Sequence, residues 1–337
     1  MNHLSLQKAV QNFRVQKWIT LISIILFIAK IGAYIRTNST AVLSDALESV
    51  VNVIAGFIGL VALYVAAKPR DESHPYGHGK AEYISAAAEG ALIICAGFFI
   101  LYETIIHFIE QTPVLHIDEG LYIIASTALI NLFAGLYCIQ IGKKNKSLAL
   151  YSSGKHLLLD TASTLLIIVA LGLMYLTHIL WIDKATSLVM ALIVLYNGYK
   201  IIRKSLAGIM DEADEKLLQD LVSLLNENRH AKWIDLHNLR VIKYGAVLHI
   251  DSHMTVPWYL DVREAHSEID ALTHLIKRKF GDAVEMFIHT DACMEFSCAI
   301  CTVPNCTVRL HAFEKRVQWT MKNIISNEKH SIVQTER

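Results

Sequence analysis

The sequence predicts an α-helical membrane protein with six transmembrane helices and a C-terminal cytoplasmic α+β domain. Three observations support this fold class. The chain of 337 residues is 53% hydrophobic and only 18% charged, and its mean hydropathy is +0.38. The apolar residues concentrate in residues 18–203. From Asp211 onward charged residues recur, and the apolar residues take helical or alternating spacing, as in a soluble domain.

Long runs with few or no charges predict the transmembrane helices. A helix needs about 20 apolar residues to span a bilayer, and the run 121–142 contains no charged residue. Buried helices of a soluble core are the alternative, which a run of this length disfavours. We therefore predict six helices, over residues 17–36, 41–67, 84–109, 119–141, 149–177 and 181–203.

Lys and Arg predict the orientation of these helices. They cluster before the first helix and after the second, fourth and sixth, whereas the other loops are poor in them. Because basic loops stay on the cytoplasmic side, we expect a multi-pass protein with both termini in the cytoplasm, in a bacterial inner membrane. The first helix lacks the pattern of a cleavable signal peptide. Basic and acidic residues number 31 each, which argues against a nucleic-acid partner.

The remainder of the chain predicts a small two-layer domain. Leucines at helical spacing indicate a helix over 211–228, and alternation indicates strands over 235–242, 246–256 and 283–290, with an amphipathic helix over 260–280. The order αββαβ is typical of a ferredoxin-like or metallochaperone-like domain. A polar helical tail is expected over 307–326. We divide the chain into 1–16, an N-terminal segment, 17–205, the transport domain, 206–292, the αββαβ domain, and 293–337, a Cys-rich segment and helical tail.

The fifth helix carries two metal-ligating side chains on one face. His156 and Asp160 are separated by four residues, so both project to the same side. Ionisable residues inside a membrane are candidates for function because burying them is costly. Imidazole and carboxylate are common ligands of tetrahedral divalent ions. A pair that only makes hydrogen bonds between helices is the alternative.

The second helix offers oxygen ligands in two registers. Glu48 with Asn52 is the preferred pair, and Asp45 with Ser49 is the other. Asp45 is then an alternate ligand or a solvated residue near the start of the helix. The preferred register predicts one intramembrane metal site, whose ligands are Glu48, Asn52, His156 and Asp160.

The depths of the two pairs differ. Glu48 lies 20 residues from Lys68, and His156 lies 10 residues from Lys146, which correspond to about 30 Å and about 15 Å of helix. We therefore expect the second helix to protrude or the helices to tilt strongly.

The loop after the second helix contains a second candidate metal site. Asp71, His74 and His78 are spaced by three and four residues, and glycines there let the backbone wrap closely. Three such ligands with an open fourth position suit a labile metal ion. A hydrophilic turn with surface histidines is the alternative.

These motifs resemble those of the cation diffusion facilitators, a family of proton-coupled divalent metal exporters. The resemblance covers residues 10–292. It is carried by His-Pro-Tyr-Gly-His-Gly-Lys-Ala-Glu at 74–82, by His156-x-x-x-Asp160 and by Asp-Ala-Leu-Glu at 45–48. It implies a homodimer in the lipid bilayer, alternating access and a transport site shared by the second and fifth helices. The family has His or Asp, three residues and then Asp in the second helix, where this chain has Glu48 and Asn52.

The resemblance also implies metal ions at a dimer interface of the cytoplasmic domain. Such metal would tighten the dimer and favour export, as in a sensor. The matching residues are His237, His253, His266, His289 and Asp291. By similarity to the family, Lys80 and Asp211 form a charge pair at the hinge between the membrane and cytoplasmic domains; two solvated charges are the alternative.

The tail contains a cysteine cluster that the family lacks. The four residues follow the pattern C-x4-C-x2-C-x4-C, at Cys293, Cys298, Cys301 and Cys306. Disulfides are not expected in a reducing cytoplasm, so the cluster indicates a metal site, most simply structural Zn²⁺. An iron–sulfur cluster also fits the ligand count. Free thiols packed as small core residues are the alternative.

Together these features predict a proton-coupled antiporter that exports divalent cations from the cytoplasm. Zn²⁺ is the first candidate substrate because His, Asp and Glu ligands suit it, and H⁺ is the counter-ion. Exporters of Fe²⁺, Mn²⁺, Co²⁺, Ni²⁺ or Cd²⁺ are alternatives. An enzyme is not expected, since no HExxH or comparable nucleophile motif occurs. The rival function is a membrane-anchored, metal-responsive regulator that does not transport.

Overall fold

The computed structural model describes residues 3–110, 117–145, 147–177, 179, 181–244 and 247–332. The chain divides between Met210 and Asp211 into two compact units. The first is a bundle of long helices, and the second is an α+β domain.

The first unit contains the six predicted helices. They are α1 (His3–Thr37), α2 (Thr40–Ala66), α3 (Ala81–Glu110), α4 (Ile117–Asn145), α5 (Leu148–Thr177) and α6 (Trp181–Ile209). Each is long and apolar enough to cross a membrane, which confirms the prediction of six transmembrane helices. Several extend beyond the predicted ranges, most clearly α1, because polar residues continue a helix beyond the apolar stretch that hydropathy detects.

Glycines set the close approach of neighbouring helices. A Cβ atom on Gly154 of α5 would lie 2.8 Å from the carbonyl oxygen of Gly135 on α4, and one on Gly90 of α3 would lie 3.1 Å from that of Gly198 on α6. Such contacts leave no room for a side chain, and small residues of this kind allow tight helix packing within membranes. They fix the placement of α5, which carries half of the predicted transport site.

A buried acid of α6 anchors the beginning of α2. Asp183 accepts hydrogen bonds from the Thr40 backbone amide at 2.9 Å, from the Thr40 hydroxyl at 2.7 Å and from the hydroxyl of Ser39, the N-cap residue. The first amides of a helix lack intrahelical partners, and the helix dipole favours negative charge there. Asp183 therefore holds the end of α2 from which the predicted ligands follow.

The second unit is an αββαβ domain, as predicted. Its elements are α7 (Glu215–Glu227), β1 (Asp235–Tyr244), β2 (Val247–Val256), α8 (Val262–Phe280) and β3 (Val284–Ala292). The strands form a sheet in the order β1-β2-β3, with β1 antiparallel and β3 parallel to β2. Apolar residues of both helices pack on the sheet in one core, among them Leu221 of α7, Ile276 of α8 and Met254 of β2.

The prediction of a helical tail over 307–326 is wrong. Of those residues only α9 (Met321–Ile324) is an α-helix. Val317 and Trp319 are both buried, each in a different apolar cluster, and side chains two residues apart point the same way only in extended chain. The Arg229 guanidinium donates to the Val317 carbonyl oxygen at 2.6 Å and stacks 3.8 Å from the centre of the Trp319 ring. Packing against the domain thus replaces the helix that the polar composition suggested.

Candidate metal sites

Three of the four predicted transport residues are in direct contact inside the bundle. His156 Nε2 lies 2.6 Å from Asn52 Oδ1, and the Asn52 amide donates to Asp160 Oδ2. His156 Nε2 also lies 3.7 Å from Asp160 Oδ1. The spacing of four residues on α5 therefore directs both side chains at one residue of α2, as the helical periodicity requires.

Glu48 supplies a further buried carboxylate, one turn before Asn52 on α2. Its side chain is 7% exposed, and that of Asp160 is 1% exposed. One oxygen of each, Glu48 Oε2 and Asp160 Oδ1, has no hydrogen-bond partner among the residues that the structure describes. Buried polar atoms normally have partners. One imidazole, two carboxylates and one amide oxygen form a donor set that fits a divalent cation.

The difference in depth between α2 and α5 does not prevent this contact. Asn52 is 14 residues from the end of α2 at Ala66, and His156 is 8 residues from the start of α5 at Leu148. At 1.5 Å per residue, α2 extends about 9 Å further than α5 at that end. This difference is the protrusion of the second helix that the sequence requires if the two pairs are to meet.

The alternative of a solvated Asp45 is wrong. Its side chain is 0% exposed, and Asp45 Oδ1 accepts hydrogen bonds from Lys30 Nζ and Thr164 Oγ1, each at 2.8 Å. Lys30 comes from α1 and provides the compensating charge, which explains how the acid lies inside the bundle. Thr164 Oγ1 also lies 2.7 Å from the Asp160 backbone oxygen. Lys30 was identifiable in the sequence as the one charge in residues 18–35.

A cavity of about 70 Å³ leads to this cluster. Asn52 and His156 line it at one place, and Ala62 of α2 and Glu82 of α3 line it elsewhere. Ala62 is near the end of α2 and Glu82 is at the start of α3. The cavity therefore extends from the cluster toward the end of the bundle where the α2–α3 loop lies. Glu89 of α3 adds a carboxylate to its wall.

The loop between α2 and α3 brings Asp71, His74 and His78 together. One ligand atom of each lies within 4.8 Å of the others. His74 Nδ1 is 3.1 Å from Asp71 Oδ1, and His78 Nε2 is 3.4 Å from Asp71 Oδ2. The His74 backbone amide also donates to Asp71, which lowers the pKa of that carboxyl, and the His74 side chain adds to the effect. Gly77 has φ +91°, a conformation that favours glycine, so the turn that brings the histidines together depends on it.

The sheet of the α+β domain assembles a third group. His253 on β2 is in register with His237 on β1 and with His289 on β3. Asp291 Oδ2 lies 3.2 Å from His253 Nδ1 and 3.5 Å from His237 Nε2. His289 Nε2 lies farther out, 3.8 Å from Asp291 Oδ1. One ligand atom each of His237, His253 and Asp291 lies within 4.8 Å of the others.

Two further residues support this group, and sequence reasoning missed both. The buried Asp235 lies 3.3 Å from His237 Nδ1 and also binds the ring and the backbone amide of His330. Burial alone would raise the pKa of Asp235, but the hydrogen bonds from His237 and His330 lower it well below its ordinary value. A carboxylate that holds the second nitrogen of a ligating histidine is common in metal sites. Lys329 Nζ lies 3.3 Å from Asp291 Oδ1.

Two other predictions are not met by contacts within this group. His266 is on α8 and 69% exposed, with Nε2 3.8 Å from Asp270 Oδ1, so it lies apart from the other histidines in the single subunit. Lys80 donates to the Ile209 carbonyl oxygen at 3.3 Å, and its pairing with Asp211 stays a prediction.

The four cysteines of the tail line a single cavity of about 210 Å³. Cys293 follows β3 directly, Cys298 lies in a 3₁₀ helix (Glu295–Ile300), and Cys301 ends that helix. All six cysteines of the chain are free thiols in the structure.

Comparison with known proteins gives two family matches. The model described as "Cation efflux transmembrane domain" matches residues 17–210, and the model described as "Cation efflux protein, cytoplasmic domain" matches residues 213–293.

Three relatives are similar over most of their length. An uncharacterized transporter of Synechocystis sp. is 31% identical over 257 residues, which cover 76% of this chain and 83% of the relative. The manganese efflux system protein MneP of Bacillus subtilis is 26% identical over 284 residues, 81% of this chain and 93% of the relative. The cation-efflux pump FieF of Shewanella oneidensis is 26% identical over 263 residues, 78% of this chain and 88% of the relative.

Proposed function

The chain belongs to the cation efflux family, and we propose from this premise that it is a proton-coupled antiporter exporting Zn²⁺ or a chemically similar divalent ion from the cytoplasm. Membership makes it a multi-pass membrane transporter of divalent metal cations. The exchange with protons, the choice of metal and the residues that bind it are the proposal.

The contact of Asn52 with His156 and Asp160 carries the proposal. It brings the predicted ligands of two helices together beside a cavity, and Glu48 and Asp160 each keep an oxygen without a hydrogen-bond partner among the described residues. A divalent ion would satisfy both oxygens and largely cancel the two buried charges. Zn²⁺ is the first candidate because imidazole and carboxylate suit it, while three oxygen donors against one nitrogen also suit a harder ion such as Mn²⁺.

Protons and metal compete for the same atoms in this mechanism. His156 must be neutral and the carboxylates ionised to hold the ion, and histidine changes its charge between about pH 5 and pH 8. An acidic exterior then protonates the outward-facing site and releases the metal. The ligands reload with metal when the site faces the less acidic cytoplasm.

The position of the cavity suggests the route of entry. It extends toward the end of the bundle where α2 ends and α3 begins, and Lys-rich loops place that end in the cytoplasm. The structure then corresponds to an inward-facing state. Asp71, His74 and His78 lie in the loop at that end and would capture the ion on a labile, solvent-exposed site.

The α+β domain provides the proposed regulation. The family domain that it matches is a dimerisation domain, and we place His237, His253, His289 and Asp291 at a metal site near the interface of a homodimer, with His266 as a further ligand there. Metal bound to one conformation of the dimer shifts the population toward it. A Lys80–Asp211 pair would act as the hinge between the domains.

Metal flux in proteoliposomes tests the proposal. We expect the purified protein to move Zn²⁺ against an imposed pH gradient, and Asp160→Ala to abolish the flux. Asp220→Ala, an exposed acid on α7, is the matched control and should transport normally. Parallel measurements with Mn²⁺, Fe²⁺, Co²⁺, Ni²⁺ and Cd²⁺ rank the substrates. Metal flux that ignores the pH gradient would remove the antiport claim.

A non-transporting regulator is the second candidate. The amide of Asn52 stands where the family has a carboxylate, and it already satisfies one oxygen of Asp160. The same liposomes separate the two functions: a regulator would show no flux of any metal, while its α+β domain would still bind metal.

A further inference from the structure

The Cys-rich segment is not explained by the transport function. The family match ends at residue 293, so three of the four cysteines lie beyond it. All four fall within one stretch of 14 residues, 293–306. Every one of them lines the same cavity.

The local structure is arranged around the sulfur atoms. The Trp258 backbone amide donates to Cys293 Sγ at 3.4 Å. The Arg309 guanidinium donates to the carbonyl oxygens of Cys298 at 3.0 Å and Cys301 at 3.1 Å, and its Nη2 lies 4.0 Å from Cys301 Sγ. Amide and guanidinium donors stabilise a thiolate more than a thiol. One arginine therefore holds the loop closed and places a positive charge beside the cysteines.

Packing alone does not account for this arrangement. Small apolar side chains would fill the space between them, whereas the cysteines surround a cavity of about 210 Å³. Burial raises the pKa of the Cys293 thiol, and the neighbouring cysteines raise it further. Four thiolates so close together need a cation between them to be stable.

We propose that Cys293, Cys298, Cys301 and Cys306 bind one Zn²⁺ ion as a tetrathiolate centre. Each thiol loses its proton as the ion binds, so up to four protons are released. The spacings of four, two and four residues all fall within the range typical of zinc sites. A plant-type [2Fe–2S] centre shares the first two spacings but takes its fourth cysteine from elsewhere in the chain, which favours zinc.

The ion would stabilise the extended tail. Cys301 packs in one apolar cluster with Ile234, Ile300 and Val317, so the metal loop and the returning tail share a core. Between them the chain passes through Arg309, which binds the loop. Metal in the cavity therefore fixes the first half of the tail, and the Val317 contact fixes the second.

Cobalt substitution of the full-length protein in detergent tests the site. Wild-type protein loaded with Co²⁺ should show the d–d bands of a tetrahedral ion together with intense sulfur-to-cobalt charge transfer, which histidine and carboxylate sites cannot produce. Cys298→Ser should weaken the charge-transfer band and lower the tightly bound zinc by one ion per chain. Cys95→Ser removes a cysteine of α3 and should change neither.

Two further measurements keep the result decisive if Cys298→Ser folds poorly. In wild-type protein alone, the four tail thiols should resist alkylation until a chelator is added, and the tail should then become sensitive to protease. Absence of the charge-transfer band with all four thiols alkylated at the rate of free cysteine would overturn the proposal. Iron with acid-labile sulfide in the purified protein would overturn the choice of zinc.

Discussion

The ammonium group of Lys30 lies 2.8 Å from Asp45 Oδ1, and both side chains are almost fully enclosed by the bundle. This ion pair joins α1 to α2 one turn before Glu48. Through Thr164, Asp45 is also connected to the backbone of Asp160 on α5. The pair thus links three helices beside the proposed transport site.

Removing one partner of this pair should be more harmful than removing both. Lys30→Met leaves an uncompensated buried carboxylate, and breaking a buried pair in this way costs roughly 3–5 kcal/mol. We expect a clear fall in the melting temperature of the detergent-solubilised protein. The double variant Lys30→Met/Asp45→Leu should melt close to the wild type. Equal losses in the single and double variants would contradict this account.

Replacing the amide of α2 by a carboxylate should strengthen metal binding in the bundle. Asn52→Asp adds a negative charge to a set that has two carboxylates, and an added charged ligand favours a divalent ion. It also introduces repulsion with Asp160 when metal is absent. We expect at least tenfold tighter binding by isothermal titration at pH 8 and a steeper loss of binding as the pH falls. Asn52→Ala should bind more weakly than the wild type, and the opposite order would exclude Asn52 as a ligand.

Asp235 should set the affinity of the histidine group in the α+β domain without touching the metal. Asp235→Asn keeps the size of the side chain but weakens its hold on His237, and loss of such a supporting carboxylate typically costs about 10- to 100-fold in metal affinity. Titration with Zn²⁺ in an Asp160→Ala background measures this effect apart from the bundle site. Asp282→Asn, an exposed acid before β3, is the control. Equal affinity of both variants would show that Asp235 plays no such part.

The beginning of α7 should show a pH-dependent stability. The hydrogen bond from Lys243 is the main cause of a lowered pKa of Asp214, and the amide of Leu217 also contributes. A lowered folded pKa stabilises the fold above about pH 5 and the effect is lost as the pH falls through that pKa. Asp214→Asn keeps the cap but not the charge, so its α7 amides should exchange faster than those of the wild type at pH 7 and at the same rate near pH 3.

Loss of the cap itself should give a larger effect at every pH. Asp214→Ala removes the acceptor for the Leu217 amide and should cost about 1 kcal/mol. Asp220→Asn, on the same helix, should leave the exchange unchanged. If Asp214→Asn and the wild type differ equally at pH 3 and pH 7, the charge of Asp214 is not the cause.

The sequence predicted the elements that local pattern determines. Uncharged runs located the six helices, alternation located the strands, and the spacing of His156 and Asp160 placed both on one face. The partners of Asp45 and Asp235 were not predictable in this way. Lys30 is 15 residues from Asp45 and on another helix, and His330 is 95 residues from Asp235. Only the packing of the whole chain brings such residues together.

The tail shows why composition misled. Polar residues dominate 307–326, and a polar helix is an acceptable interpretation of that stretch on propensity alone. Trp319 is the exception, and its burial against Arg229 and the domain core determines the path of the chain. Tertiary packing commonly overrides such weak local preferences.

The contacts of Lys329 and His330 with Asp291 and Asp235 tie the last part of the described chain to the histidine group. An incoming cation and the Lys329 ammonium repel each other at Asp291, so filling the site loosens the grip on the chain terminus. Shortening the protein before residue 329 would instead free that carboxylate in advance. Affinity tags and truncations at this end are therefore not neutral, and metal titrations on trimmed proteins would overstate how readily the intact chain accepts an ion.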